Sequence, residues 1–277
     1  VKGNKKEISR DKIAIIYAEG GIDGNKNNIH SGYTKTIKKV LEDDNINAVV
    51  FRVNSPGGSA LISDEILSQM KISKKDKPIV VSMGNYAASG GYYIACAADK
   101  ILASPMTITG SIGVFGLFFT AEELLTDKMK LHYSNVKTNK FANLGEVHRS
   151  LSSEEKSFLQ ISVKNTYNDF ITHVSEGRNM SIEEVDNIGQ GRVWTGLRGK
   201  EIGLVDSLGG LKDAIATAAQ LANIDDFKVE EFPKTKNGIE AFLETLEKAR
   251  QFDGKNIEEL YLEQIEKKLL DMQGVQA

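Results

Sequence analysis

Short continuous apolar runs alternate with amphipathic stretches through the first half of the chain, and this alternation limits the fold more than any other feature. The strand-like runs are 13–18, 48–51, 79–83 and 101–103. Between them, apolar residues recur at helical spacing over 33–41 and 61–70. Strands of this kind are buried on both faces, and parallel strands are joined by helical crossovers. We therefore expect an α/β fold with a largely parallel sheet covered on both faces.

The chain divides into four predicted parts. They are a polar tail over 1–11, an α/β core over 12–150, a helical subdomain completing the core over 151–225, and a C-terminal strand and helical extension over 226–277. We also predict a helix over 89–98, a strand over 131–136 and a last strand over 227–232. An apolar stripe predicts a long helix beyond Leu151: Phe158, Ile161, Tyr167, Phe170, Ile171 and Val174. Ser181 with Glu184 fits a capping box, and 239–272 reads as helices separated near Gly254.

Composition excludes several classes of protein. The 277 residues carry 35 basic and 38 acidic side chains, so the net charge of −3 gives no electrostatic case for nucleic-acid binding, although local basic clusters stay possible. Cys96 is the single cysteine, which excludes a disulfide scaffold. No apolar run reaches the roughly 18 residues of a membrane span. Because the chain begins at Val1, we expect a processed or excised segment.

A Gly-Gly turn directly follows the second predicted strand. Ligands of α/β sheets bind at the carboxyl ends of strands, and Gly57 and Gly58 let main-chain N–H groups approach a ligand closely. The natural use is an anion or oxyanion site. A tight turn without a ligand is the alternative reading.

Ser89 follows the third predicted strand and has small neighbours on both sides. This position suits a nucleophile at a helix start, with the Gly90 amide as a hydrogen-bond donor. A simple helix cap is the alternative reading of Ser89.

A serine nucleophile also needs a base, and the residues alone leave two kinds of base open. The four histidines share no motif with an acidic partner: His30, His132, His148 and His173. A Ser-His-Asp triad stays possible because its members meet only in space. A lysine base needs a pKa lowered by burial, and Lys137 and Lys140 follow a predicted strand.

Five motifs, in order, resemble the signal peptide peptidase A family, also called protease IV. They are Asn54-Ser55-Pro56-Gly57-Gly58-Ser59, Ala87-Ala88-Ser89-Gly90-Gly91-Tyr92-Tyr93, Thr109-Gly110-Ser111-Ile112-Gly113-Val114, Gly191-Arg192-Val193-Trp194-Thr195-Gly196 and Gly203-Leu204-Val205-Asp206-Ser207-Leu208-Gly209. The resemblance covers about residues 13–222. It implies a crotonase-like, Clp-protease-like ββα superhelix with a helical C-terminal appendage, and a Ser-Lys dyad that hydrolyses cleaved signal peptides through an acyl-enzyme.

The resemblance assigns the site residue by residue. It implies that Ser89 is the nucleophile, that the amides of Gly58 and Gly90 form the oxyanion hole, and that the Ser111 hydroxyl orients the lysine. The chain looks most like the second half of a long family member, whose lysine lies in the first half. In short members one domain carries both residues, and Lys140 falls near the expected position. Both sources of the lysine stay open. No metal or other cofactor is implied.

The resemblance also implies partners and a location. We expect extended peptide substrates, a homo-oligomer with composite active sites, and the extracytoplasmic face of a bacterial membrane. The anchor would be a segment absent from this chain, which is itself expected to be soluble. Two alternatives remain: a catalytically incomplete half or assembly domain, and a crotonase-type acyl-CoA enzyme. The Ser89 segment argues against the second.

Overall fold

The fold is described from a computed structural model over residues 11–74 and 77–233. The strands are β1 (Lys12–Glu19), β2 (Ile46–Ser55), β3 (Ile79–Ala88), β4 (Lys100–Ala103), β5 (Ile108–Gly110), β6 (Val193–Thr195), β7 (Ser207–Leu208) and β8 (Lys228–Phe232). The helices are α1 (Tyr33–Glu42), α2 (Ala60–Ser73), α3 (Gly90–Tyr93), α4 (Ser153–Arg178), α5 (Ile182–Ile188), α6 (Gly196–Glu201) and α7 (Leu211–Ala222).

The strands form one mixed sheet in the order β6-β5-β3-β2-β1-β8, in which β5 and β6 pair antiparallel. β3 pairs in parallel with β4 along its first half and with β5 along its second half. β7 extends the β4 branch. The divergence of β4 and β5 leaves the carboxyl end of β3 between β2 and β5, which is where Ser89 follows.

Alternate residues of the central strands face two separate apolar cores. Ile13 and Ile15 of β1 pack in the core formed with Ala214 and Ala218 of α7. The residues between them on β1 join the larger core on the opposite face, to which α1, α2 and α4 contribute. This arrangement confirms the predicted α/β fold with a sheet buried on both faces.

The predicted capping box of Ser181 with Glu184 is confirmed, and two further helices begin with serine caps. The Ser59 hydroxyl accepts a hydrogen bond from the amide of Ile62 at the start of α2. Both α4 and α5 begin with complete capping boxes, formed by Ser152 with Glu155 and by Ser181 with Glu184. Each capping box satisfies backbone N–H groups that the helix itself leaves unpaired.

The segment 131–136 is not a strand, and this prediction was wrong. It lies in an irregular stretch, residues 114–147, which we call the arm; the arm's regular structure is one π-helical turn, Leu124–Lys128. Its apolar side chains remain exposed: Phe115, Leu117, Phe118, Phe119, Leu124, Met129, Leu131, Tyr133, Val136, Phe141 and Val147. The apolar residues of this segment predict a buried strand, but within the described residues no strand of the sheet pairs with it.

Other boundaries also differ from the predictions. The helix predicted over 89–98 is regular over Gly90–Tyr93 and then continues as turns with three-residue spacing, such as Ala95 N to Tyr92 O at 3.0 Å. The short strand β5 has no counterpart among the predicted strands. Phe158 and Ile161 lie on the exposed side of α4.

The region 151–225 is not purely helical, since β6 and β7 within it join the sheet of the core. The last predicted strand, 227–232, is confirmed as β8. The compact unit to which the described residues belong ends at Pro233. The predicted helices over 239–272 and most of the tail over 1–11 lie outside the described residues.

Candidate active site

Ser89 occupies the sharp turn between β3 and α3. Its backbone has φ 52° and ψ −123°, a conformation that L-residues rarely adopt. Its N–H donates to the Gly110 carbonyl at 2.9 Å, and its carbonyl accepts from Tyr92 and Tyr93 at 2.9 Å each. The strained backbone is therefore held from both sides, as is common at functional sites.

The Gly57-Gly58 turn runs alongside the start of α3. Ile22 forms an isolated parallel bridge with Gly58, in which the Ile22 amide donates to Gly57 O at 2.9 Å and the Ser59 amide donates to Ile22 O at 2.6 Å. That pattern leaves the Gly58 N–H unused. Within the described residues, neither the Gly58 nor the Gly90 N–H donates to a protein acceptor.

The approach of the two turns requires glycine. A Cβ on Gly58, which has φ 150°, would lie 2.1 Å from the carbonyl oxygen of Ile22. A Cβ on Gly57 would lie 2.6 Å from the backbone nitrogen of Gly90. A Cβ on Gly90 would lie 3.2 Å from the backbone nitrogen of Gly58, so the turns that carry these two amides are neighbours. Two backbone N–H groups without a protein acceptor among the described residues therefore lie on neighbouring turns beside Ser89.

Ser111 follows β5 and lies in the same cavity as Ser89. Its φ is 48°, and its N–H donates to the Arg192 carbonyl at 2.8 Å. The buried Thr109 hydroxyl donates to the Ala87 carbonyl at 2.9 Å, which further fixes β5 to β3. Within the described part of the chain, the hydroxyls of Ser89 and Ser111 make no hydrogen bond to protein.

A cavity of about 930 Å³ joins these elements. Its volume lies at the upper end of the roughly 300–1,000 Å³ usual for ligand pockets. The lining residues are Pro56, Gly57, Gly58, Ser89, Ser111, Gly113, Val114, Phe115, Gln160, Val163, Lys164, Tyr167, Gln190 and Gly191. A side pocket of about 390 Å³ shares Gly58 and Ser89 and extends to Tyr93 and Phe170.

One face of α4 forms a wall of the cavity, and the sequence interpretation missed it. Gln160, Val163, Lys164 and Tyr167 follow the i, i+3, i+4, i+7 spacing of a single helix face. The Tyr167 hydroxyl donates to Asp186 at 2.6 Å, and partial burial together with this hydrogen bond raises the pKa of Tyr167. Their helical spacing is visible in the sequence and places the four residues on one face. Because polar and apolar residues alternate in this set, it resembles an ordinary exposed helix face.

The bases weighed from the sequence do not line this cavity. Lys140 lies in the arm, is largely exposed, and pairs with Glu154 at 2.6 Å. Lys137 is exposed in the same stretch. His173 contacts Lys71 at 2.9 Å, and His148 stacks on Tyr133. His30 accepts a hydrogen bond from the amide of Gly32 at 3.0 Å, and His132 is an exposed arm residue.

The sequence over residues 71–225 matches the family described as Peptidase family S49. The chain belongs to this family. The family is one of peptidases, not of acyl-CoA enzymes. A second match, to Clp protease over residues 4–110, agrees with the Clp-protease-like, crotonase-like fold expected from the sequence.

Curated relatives agree with this placement in S49. Protease 4 of Salmonella typhi is 38% identical over 84% of the chain, and Putative signal peptide peptidase SppA of Enterococcus faecium is 33% identical over 85%. The chain spans 38% of the length of the first relative and 69% of the second.

A solved structure supports the fold alone. The 1510-N membrane-bound stomatin-specific protease S97A mutant aligns with a TM-score of 0.54 over 82% of this chain and 100% of that one, at 13% identity. Among the described residues of the S49 chain, no helix combines the length and apolarity that a bilayer span requires.

Proposed function

We propose that the chain is an endopeptidase of the Ser-Lys dyad type that acts on extended peptides, in particular cleaved signal peptides. The Ser89 Oγ attacks the scissile carbonyl carbon while its proton passes to a lysine amine. The tetrahedral oxyanion collapses with cleavage of the C–N bond, and the leaving amine takes the proton. Water then hydrolyses the acyl-enzyme and restores the Ser89 hydroxyl.

The observation that carries this proposal is the convergence of Ser89 with the two free amides of Gly58 and Gly90. Backbone donors that are fixed before reaction stabilise a developing oxyanion without reorganisation, and removal of one such donor costs about 10²–10³ in kcat. A plain turn would require neither an N–H of Gly58 without an acceptor nor a positive φ at Ser89.

We further propose that the lysine amine reaches Ser89 from a neighbouring S49 domain. The Ser89 and Ser111 hydroxyls have no protein partner within the described residues, so each is available to an incoming amine. A lysine base must be buried to be neutral near pH 7. Lys140 is exposed and paired with Glu154 in the isolated chain, and burial against a neighbour would change that environment.

The exposed arm supports a homo-oligomer with composite sites. Its apolar side chains form a surface of the kind that marks an interaction site. The arm begins at Val114 and Phe115, which also line the Ser89 cavity. A second copy covering the arm would therefore reach the edge of the active site, where it would deliver Lys140 or another lysine.

The signal-peptide substrate is supported by the walls of the site and by the name of one relative. The side pocket next to Ser89 is lined largely by small and apolar groups, including Ala60, Val114 and Phe170. Such a pocket suits small or apolar substrate side chains. The Enterococcus faecium relative bears the name of a signal peptide peptidase. The extracytoplasmic face of a bacterial membrane remains part of this proposal.

The direct test is fluorophosphonate labelling and peptide-ester hydrolysis with Ser89→Ala. We expect the natural chain to label at Ser89 and the variant to lose both labelling and hydrolysis while its circular dichroism spectrum is retained. Unchanged hydrolysis by Ser89→Ala would overturn the proposal. Ser207→Ala, an exposed serine on β7, is the matched control and should label normally at Ser89.

The lysine source is tested separately. If Lys140 is the base, Lys140→Ala should lose hydrolysis as completely as Ser89→Ala. Near-normal activity of Lys140→Ala would assign the base to another lysine of the assembly. A chain that labels weakly by itself and strongly after addition of its lysine-bearing half would identify it as the catalytically incomplete half.

A further inference from the structure

We propose that Lys164 binds a carboxylate of the peptide substrate inside the Ser89 cavity. The carboxylate would come either from an Asp or Glu side chain or from the free C-terminus of a short peptide. This inference deepens the proposed peptidase function and rests on it, because it gives the same cavity a preference for one charge.

The described lining of the cavity carries a positive charge and no negative charge. Lys164 is the charged side chain among its described lining residues, and no Asp or Glu lines it. The other polar groups at the wall are hydroxyls, amides and glycine backbone. A substrate carboxylate entering this space therefore meets one cation and no opposing anion, which favours it electrostatically over a neutral or basic group.

Among the described residues, Lys164 forms no ion pair, in contrast to two lysines from outside α4 that pair with this helix. Lys71 and Lys140 pair with Glu176 and Glu154 of this helix. Lys164 forms no ion pair within the described part of the chain, and its helical neighbours three and four residues away are uncharged: Gln160, Ile161, Tyr167 and Asn168. Nothing in the described fold neutralises its ammonium group, so a ligand carboxylate has no internal competitor.

Two glutamine side chains line the cavity beside Lys164, and only one of them is free to bind a ligand. Gln160 lies one turn before Lys164 on the cavity face of α4, and its side-chain amide makes no hydrogen bond within the described residues. Gln190 is already engaged, donating to Asp186 at 3.3 Å and accepting from Arg192 at 3.2 Å. Lys164 and Gln160 together thus offer a cation and a free amide donor at helical spacing, a pair suited to one carboxylate.

A role as the general base is a different function for the same residue, and the surroundings of Lys164 favour carboxylate binding. The Lys164 side chain is exposed, whereas a lysine base requires burial in an apolar site. A charged lysine at an open cavity wall attracts anions instead. The two roles also respond differently to arginine, which keeps the charge and cannot act as a base at neutral pH.

The test measures binding, so it does not depend on turnover. In the Ser89→Ala chain, fluorescence anisotropy gives Kd values for one labelled apolar peptide that carries Glu, Gln or Lys at one flanking position. Each form is made with a free or an amidated C-terminus, which separates side-chain from terminal carboxylates. We expect carboxylate forms to bind about 3- to 10-fold more tightly than amide forms, the range of one partly screened charge pair.

Substitution of Lys164 then tests the assignment. Lys164→Gln should equalise the Kd values, Lys164→Arg should keep the preference, and Lys164→Glu should reverse it towards the lysine peptide. Lys156→Gln, on the same helix but outside the Ser89 cavity, is the matched control and should behave like the parent. High salt should weaken the preference in the parent chain.

The failing outcomes are distinct. Equal Kd values for all peptides, no peptide binding, or a preference that survives Lys164→Gln would overturn the carboxylate site. Loss of Ser89 fluorophosphonate labelling in both Lys164→Gln and Lys164→Arg, with folding retained, would make Lys164 the base and also overturn it. Absence of labelling in the natural chain, both alone and after addition of its lysine-bearing half, with the binding preference intact, would instead overturn the proposed peptidase function.

Discussion

The amide of Ser89 donates a 2.9 Å hydrogen bond to the carbonyl oxygen of Gly110. This bond connects the residue after β3 to the last residue of β5. The next residue of the chain is Ser111, which also has a positive φ and lines the same cavity. One backbone hydrogen bond thus brings two strained serines from consecutive motifs to a single cavity.

Replacement of Ser111 with alanine should lower activity and leave the fold intact. The Ser111 hydroxyl has no protein partner within the described residues, so its removal breaks no internal contact. If it orients the catalytic amine, we expect kcat to fall about tenfold, the equivalent of one hydrogen bond of ~1–1.5 kcal/mol. Peptide-ester kinetics and thermal unfolding measure the two effects. An unchanged kcat would remove Ser111 from the proposed mechanism.

The sequence predicts the parts of the fold that local patterns encode. Continuous apolar runs predict β1, β2 and β3, and the capping box of Ser181 with Glu184 predicts the start of α5, because these signals act over a few residues. Gly58 and Ser89 follow buried strands at the sheet edge where ligands bind, which indicates a site, although a plain turn and a helix cap fit the same residues. These features need no knowledge of distant contacts.

The remaining features depend on contacts between distant segments. The apolar residues of 131–136 resemble a strand, yet no described sheet edge receives them. β5 has three residues, too few for a periodic signal, and is stabilised by pairing with β3 and β6. Lys164 resembles any exposed lysine until α4 is placed against the cavity. In all three cases, the segments that pack nearby in the fold decide whether the residue is buried, paired or free.

Gly58→Ala should abolish most of the activity. The added Cβ would meet the Ile22 carbonyl at 2.1 Å, and a φ of 150° is strained for alanine. The turn must shift, which moves the Gly58 N–H, and we expect kcat to fall by about 10²–10³. Gly24→Ala is the control, because Gly24 also has a positive φ, 83°, but its Cβ would make an ordinary 3.6 Å contact with Ile62. Equal losses in both variants would argue against an oxyanion role.

Gly177→Ala should destabilise the protein although alanine favours helices. Helix propensity alone predicts a gain of about 1 kcal/mol in the free energy of unfolding. A Cβ at Gly177 of α4, however, would lie 2.2 Å from the Cys96 carbonyl oxygen in the turn after α3. Overpacking against backbone typically costs about 1–3 kcal/mol. Urea denaturation decides the sign, with Asn165→Ala on the exposed side of α4 as control; a stabilised Gly177→Ala would disprove this close contact.

Glu155, which lies just after the arm, should make the thermal stability of the protein fall at low pH. Its carboxylate accepts hydrogen bonds from Arg149 at 2.6 and 2.8 Å and from the Ser152 amide at 2.8 Å, which lower its pKa to about 2. Because the folded pKa is depressed, the stabilisation is complete above the unfolded pKa of about 4.3 and is lost as the pH falls towards 2.

Glu155→Gln tests this dependence. The variant should unfold at a lower temperature at pH 7 and show a shallower decline in Tm between pH 4.5 and about 2. Glu154→Gln, at the exposed neighbouring position, serves as the control. A parallel decline for Glu155→Gln and the natural chain would contradict the assigned carboxylate role.

The double substitution of Phe119 and Val136 in the arm with serine should dissociate the proposed oligomer. Both side chains are exposed in the single chain, Phe119 at 74% and Val136 fully, and burial of each against a second copy would stabilise association by about 1–3 kcal/mol. Sedimentation velocity should therefore show the natural chain as an oligomer and the variant shifted to monomer, with hydrolysis falling in parallel because the sites are composite. The control replaces Leu61 and Ile72 of α2, which are 70% and 78% exposed outside the arm, and should remain assembled. A monomeric natural chain with full peptidase activity would refute both the interface and the shared lysine.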